Sequence, residues 1–338
     1  MKKFLPYAIG LVMISVPFIG TPQYPLHLMI VILIWSMVYT SWSLMGRFGL
    51  VSLGHGAFMT VGAYVTALLW NYGGISPWIG IPASLLTAAA LAFIVAYPCF
   101  QFRIVGHYFA LVTLALSEVV RLIIMATRDY TGGSLGFTPN REGDGTSLYA
   151  LQFADKETFY LVVLGGWALS LLIWKLVDRS MMRYALDAIS EDEESSAAAG
   201  IYVTRTKLKI TVLSAMMTAL GGAFYCQYQM FVAPDVVGGI GISLQIIFAV
   251  VVGGLYTWMG PTIGAIITIM MTEIFRNIIT DLRTEGIDLA GLDTTVYGLM
   301  LVLFIIFLPK GVLGELLDRL AGGRAKKQAP ATQPADCG

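Results

Sequence analysis

Two pairs of opposite charges stand inside otherwise apolar runs of this 338-residue chain: Glu118 with Arg121, and Glu273 with Arg276. A spacing of three puts each pair on one face of a helix, where it can close an ion pair. Charge at that depth is costly unless it is paired or wet, which makes all four residues candidates for a solute or ion path. The plainer reading is a structural ion pair near a helix end, where long side chains reach the interface. A third candidate is Gly49-Leu-Val-Ser-Leu-Gly-His-Gly-Ala-Phe58. Its Ser52, Gly54 and Gly56 remove side-chain bulk where another backbone must approach, as at a tight helix crossing or an unwound stretch beside a pathway. His55 either lines that path or packs within it. No second His or Cys stands near it to make a metal site. In Gly253-Gly-Leu-Tyr-Thr-Trp-Met-Gly-Pro-Thr-Ile-Gly264, the pair Gly260 and Gly264 is a small-xxx-small element and Pro261 suits the first turn of a helix, so the segment reads as a tight turn between closely packed helices.

Other chemistry is excluded by what is missing. No G-x-x-x-x-G-K-[ST] occurs, so any ATP hydrolysis belongs to a partner. No H-E-x-x-H, G-x-S-x-G or acidic pair lies within the apolar runs, which leaves an enzyme within the membrane unsupported. Cys99, Cys226 and Cys337 are too scattered for a disulfide framework or a zinc site. The sequence calls for no cofactor, and no basic stripe suggests nucleic acid.

The elements that carry these residues are membrane helices. Hydrophobic residues make up 57% of the chain and charged residues 12%, and mean hydropathy is +0.75, far from the mixture of a soluble domain. The predicted architecture is all-α with about ten transmembrane helices. They fall near 5–20, 26–45, 48–70, 78–100, 108–126, 159–174, 210–233, 240–258, 262–280 and 295–309. Lys2 and Lys3 precede an apolar run without a small-x-small cleavage site, so the run reads as a retained first span. Arg47, Arg103, the basic residues from Lys175 to Lys209 and those of the tail all fall on one side if both termini are cytoplasmic.

The membrane domain is expected over 1–320, with a Gly-rich external loop near 127–157, a charged cytoplasmic segment near 178–209 and a disordered tail over 321–338. Within the cytoplasmic segment, Arg183 to Tyr202 reads as a short helix ending at Gly200. It shows Ala185 and Ile189 on one side and acids on another, which suits either a solvated connector or docking into a groove of a soluble partner.

Several stretches together resemble the LivM-type permeases of branched-chain amino acid ABC transporters. They are Gly49–Phe58 (GLVSLGHGAF), Gly106–Arg121 (GHYFALVTLALSEVVR), Thr131–Gly136 (TGGSLG), Tyr184–Val203, Gly253–Gly264 (GGLYTWMGPTIG) and Phe307–Gly314 (FLPKGVLG), in the family's order. The resemblance implies a permease that pairs with a second, homologous permease subunit to enclose a pathway in the lipid of the bacterial inner membrane. Two ATPase subunits would lie below and an external solute-binding protein above. It also implies that Tyr184, Ala185, Asp187, Ile189, Glu191, Glu193, Gly200 and Ile201 belong to the segment that couples to the ATPases. The chain departs from the family's usual pattern at Ser190 and Ala197, and at His107. Relatives for urea, short amides or aromatic acids share the same outline. An ion-coupled secondary transporter would need charge near mid-membrane, and spans 26–45, 78–100, 210–233 and 240–258 carry no Asp, Glu, Lys or Arg.

One consequence is testable from sequence alone. Gly200→Pro should abolish transport while membrane insertion stays normal, and uptake retained at the native rate would refute a docking role for the segment.

Overall fold

Residues 23–46 are apolar on every side, the pattern of a helix surrounded by other helices, and in the computed structural model they form α1 (Gln23–Gly46) at the centre of the molecule. Residues 22–143, 146–153 and 155–284 are described; the expected spans 5–20 and 295–309 and the tail lie outside them. After α1 come α2 (His55–Gly73), α3 (Pro77–Gln101), α4 (His107–Ala126) and, after the short α5 (Arg128–Thr131), α6 (Lys156–Arg179). Next come α7 (Met181–Glu191) and α8 (Glu193–Ala198) at one end of the bundle, then the long α9 (Val203–Gln229). A short α10 (Pro234–Val237) leads into α11 (Gly239–Gly253), and α12 (Gly260–Thr284) follows. There are no strands among the described residues, only isolated bridges such as Phe137 to Val232. Among the described residues six stretches are long and apolar enough to cross a membrane: α1, α3, α4, α6, α9 and α10–α11 together; α2 and α12, at the expected spans 48–70 and 262–280, are not among them.

Several boundaries differ from those the hydropathy suggests. Helix α2 begins at His55 rather than near residue 48, because Gly49 turns at φ +75° and the Ser52 hydroxyl accepts from the Gly54 amide before the first helical residue. Helix α9 starts at Val203, seven residues before the apolar run, with Arg205, Lys207 and Lys209 in its first two turns. Helix α11 ends at Gly253, where Gly254 adopts φ +116°. The four serines and threonines of α1 (Ser36, Thr40, Ser41, Ser43) spend their hydroxyls on carbonyls three or four residues back, which lets them be buried without an orphaned donor.

Backbone-to-backbone contact sets the tightest crossings. A Cβ on Gly62 of α2 would stand 2.1 Å from the Ala219 carbonyl oxygen of α9, and one on Gly222 of α9 would stand 2.1 Å from the Met59 oxygen of α2. Across the α11–α12 turn, Cβ atoms on Gly253, Gly260 and Gly264 would each meet a carbonyl oxygen at 1.9–2.0 Å. Such approaches are open only to glycine, and in lipid they supply the dispersion contact that apolar side chains alone do not.

Gly62→Ala should therefore force α2 and α9 apart and cost about 1–3 kcal/mol, read as a lower thermal unfolding midpoint in detergent. Gly165→Ala, whose added carbon has nothing within 4 Å, should leave the midpoint unchanged. Equal midpoints for the two variants would contradict the crossing.

Candidate functional site

The Gly54–Gly56 segment lies where α2, α4, α9 and α11 converge. The Gly56 amide donates to the Ser243 hydroxyl at 3.2 Å, and a Cβ on Gly56 would stand 2.9 Å from Gly239 O, Ser117 Oγ and Ser243 Oγ alike. Thr113 Oγ1 accepts from the Leu53 amide at 2.9 Å, and the Thr113 carbonyl stands 3.1 Å from the place a Gly54 Cβ would take. Ser52 gives its carbonyl to the Trp42 indole at 2.8 Å. The result is a buried seam of hydroxyls and glycines, the arrangement that lets helices meet through hydrogen bonds in a medium without water.

His55 sits in that seam, fully buried between the rings of Trp42 and Phe58. Its Nε2 lies 2.8 Å from Ser214 Oγ, and the Ser214 hydroxyl itself donates to the Ser41 carbonyl at 2.6 Å. With the serine proton already committed, Nε2 must be the donor and Nδ1 the acceptor; Nδ1 meets no partner among the described residues. Gly260 and Gly264 are far along the chain from this seam and serve the α11–α12 turn.

The charged pairs are at the two ends of the bundle. Arg121 donates through Nε to Glu118 at 2.9 Å and through Nη1 to Asp235 at 2.8 Å, tying α4 to α10. Glu273 receives Arg276 at 2.6 Å and the Tyr24 hydroxyl at 2.8 Å, tying α12 to the start of α1. At the opposite end Arg47, just past α1, pairs with Asp178 of α6 at 2.9 Å; its side chain is only 6% exposed. Its guanidinium lies 4.6 Å from the Phe48 ring centroid and 4.3 Å from that of Trp174. Burial pushes the Arg47 pKa down, and the Asp178 carboxylate opposes that shift. Asp178 also meets Arg183 at 3.2 Å, and Arg183 meets Asp187 at 3.4 Å. An unbroken line of alternating charge thus runs from the central helix through α6 to α7.

Helices α7 and α8 hold the segment with acids on its surface. Leu186 and Ile189 are buried, Leu186 within the apolar cluster of Leu44, Phe100, Trp174 and Ile210, while Ala185 is half-buried. Tyr184, Asp187, Glu191 and Glu194 face out. The expected single helix ending at Gly200 is in fact two, because Asp192 turns extended (φ −155°, ψ 116°) and caps α8, accepting from the Glu194 amide at 3.0 Å and the Ser195 hydroxyl at 2.5 Å. Those bonds hold the Asp192 carboxyl below its usual pKa. Glu193 pairs with the buried Lys207 of α9. Gly200 sits at φ +91°, and the Ile201 amide closes the turn onto Ser196 O at 3.1 Å. Arg47, Asp178, Leu186 and Lys207 carry this arrangement; sequence reading used the two basic residues only to assign a side of the membrane, because their partners lie far along the chain.

A family profile described as "Branched-chain amino acid transport system / permease component" matches residues 24–308. The protein named "High-affinity branched-chain amino acid transport system permease protein LivM" from Salmonella typhimurium is 28% identical over 303 residues, covering 83% of this chain and 68% of that one. Its namesake from Escherichia coli is 29% identical, covering 79% and 64%. A "Probable branched-chain amino acid transport permease protein LivM" from Methanocaldococcus jannaschii is 21% identical, covering 77% and 76%. No solved structure matches significantly.

Asp178→Asn should leave the Arg47 guanidinium buried without its counter-charge and cost about 2 kcal/mol of stability. Arg183→Ala, at a side chain 43% exposed, should cost less than about 1 kcal/mol. Thermal unfolding in detergent measures both, and equal losses would refute a buried tie at Arg47.

Proposed function

We propose a transport role from the premise that this chain belongs to the family of branched-chain amino acid transport system permease components. It is the membrane-spanning permease subunit of an ATP-binding-cassette importer in the bacterial inner membrane. It forms half of the translocation pathway for branched-chain or other amino acids, beside a second, homologous permease. ATP is hydrolysed by two partner ATPases, and solute arrives from an external binding protein.

The observation that carries this reading is the α7–α8 segment. Its buried Leu186 and Ile189 seat it on the bundle, and its exposed Tyr184, Asp187, Glu191 and Glu194 offer an acidic face to a soluble partner. Force on α7 reaches the central helix through Asp187, Arg183, Asp178 and Arg47. The pathway side is the Ser52–Gly56 seam, where small residues let one helix slide on another. An ATPase cycle drives transport only if its contacts differ between inward-open and outward-open packings, and a docked segment wired to α1 supplies that difference.

The orientation is about ten spans with both termini cytoplasmic. Contacts between distant segments support it, since Arg47–Asp178 and Arg103–Glu194 join residues of one expected side, and Arg121–Asp235 and Tyr24–Glu273 residues of the other. The end holding α7 and α8 also gathers Arg103, Lys175, Arg179, Arg205 and Lys209, as the cytoplasmic side should. The opposite end carries the 127–157 loop, laid over α2 and α3 by Trp70 Nε1 to Asn140 O at 2.7 Å and Trp78 Nε1 to Leu148 O at 2.7 Å, as a platform for the binding protein.

Uptake into vesicles holding the chain with its partners, with leucine, urea and an aromatic acid in parallel, tests the reading. We expect one solute to enter only with both ATP and the binding protein. Uptake that ignores ATP and collapses with an ion gradient would replace the importer by a secondary transporter.

A further inference from the structure

The stretch from Pro234 to Gly253 is apolar enough and long enough to be one spanning helix, yet it is built as two, α10 and α11. The break lies at Gly238, which is extended (φ −137°, ψ −173°), and Gly239, which sits at φ +80°. L side chains rarely adopt the second conformation, and two adjacent glycines give the backbone its freest joint. Close approach also requires Gly238, since a Cβ there would stand 2.3 Å from Thr60 Oγ1 of α2.

This joint rests on the seam of hydroxyls and glycines. The Gly239 carbonyl accepts from Ser117 Oγ at 3.2 Å, and Ser117, Thr60 and Ser243 are each only 1–2% exposed or less beneath it. Helix α10 itself packs on α2, on α4 and on the 133–135 turn. Its Pro234 and Val237 are buried, and its one polar side chain, Asp235, is 63% exposed and meets Arg121 of α4 at 2.8 Å. An ion pair so open to water is weak, which makes it a tie that can be broken and remade. Arg121 keeps Glu118 as a partner at 2.9 Å whether or not Asp235 is in place, so releasing α10 strands no cation. At its other end α10 is fastened to the loop, because Val232 exchanges both backbone hydrogen bonds with Phe137, at 2.7 and 2.9 Å. Helix α10 and the loop therefore turn as one piece against α11.

We propose that α10 is a lid over the seam, hinged at Gly238–Gly239 and latched by the Arg121–Asp235 pair. Closed, it shuts Ser117 and Thr60 off from water at the loop end of the bundle; open, it admits water to them. The assignment rests on the seam being the pathway side and adds the segment that closes it and the pair that holds it closed.

The test uses the full chain in sealed right-side-out vesicles, with a membrane-impermeant maleimide added outside and the rate of thiol modification as the readout. Ser117→Cys and Thr60→Cys are two independent reporters under the lid, so a reporter that fails to fold leaves the other. Thr218→Cys, buried at the α1–α9 interface, reports general loosening. Chains without a reporter measure the native cysteines. Asp235→Asn should speed modification at both lid reporters about threefold or more, the scale of one exposed ion pair. Asp235→Glu, which keeps the carboxylate, should label at the native rate, and Thr218→Cys should stay protected throughout. Equal rates with and without Asp235→Asn, Asp235→Glu labelling as fast as Asp235→Asn, or an equal rise at Thr218→Cys would overturn the lid. ATP-dependent uptake by the assembled transporter separates the two readings: unchanged labelling sinks the lid alone, whereas native uptake indifferent to ATP sinks the importer and leaves the labelling result standing.

Discussion

In a hydrocarbon solvent two helices gain nothing from burying leucine against leucine, because the lipid is as apolar as the partner. What remains is close approach of backbones, and the contact of Gly62 with Ala219 and of Gly222 with Met59 is where this molecule achieves it. α9, in close contact with α2 there, also lies along α1, which touches the start of α2 through Trp42 and His55. The hydroxyl at Thr218, hydrogen-bonded to Ser41 at 2.6 Å, then falls on the α1–α9 interface, next to the Ser214 and His55 contact. The seam at Gly54–Gly56 extends the same construction toward α4 and α11.

The two ends of the bundle solve a different problem, that of holding charged groups where apolar and aqueous surroundings meet. Arg47 does so by sandwiching a guanidinium between Phe48 and Trp174 and sharing Asp178 with Arg183. Removing two charges from water is expensive, and such pairs hold only with good geometry and further contacts. The same bonds tie the end of α1 to α6 and α7. At the loop end, Arg121 and Glu273 each bridge to a second helix as well as to their own neighbour three residues away.

Much of this was legible in the chain. Among the described residues the apolar runs located six helical stretches long and apolar enough to span a membrane, and the Glu118–Arg121 and Glu273–Arg276 spacings located ion pairs that do close. The glycines at 54 and 56 marked a close approach that the distances reproduce. Where the reading went astray, a local polar group outweighed the average. Ser52 and Gly49 delay the start of α2, and Asp192 breaks the helix expected to run on to Gly200. Hydropathy averages over many residues, whereas a cap is the work of one side chain, so an average cannot register it.

The sequence by itself determined the solvent, the class of element and the family, because each rests on patterns local in the chain: apolar length, charge at loop ends, and motifs a few residues long. Tertiary structure alone decided which charges meet. Asp235 lies 114 residues from Arg121 and Asp178 lies 131 from Arg47. It alone also seated the Gly238–Gly239 break on Thr60 and Ser117. Pairings across such distances depend on how helices are stacked, and stacking is governed by backbone approach at glycines scattered through the chain rather than by any contiguous stretch of it.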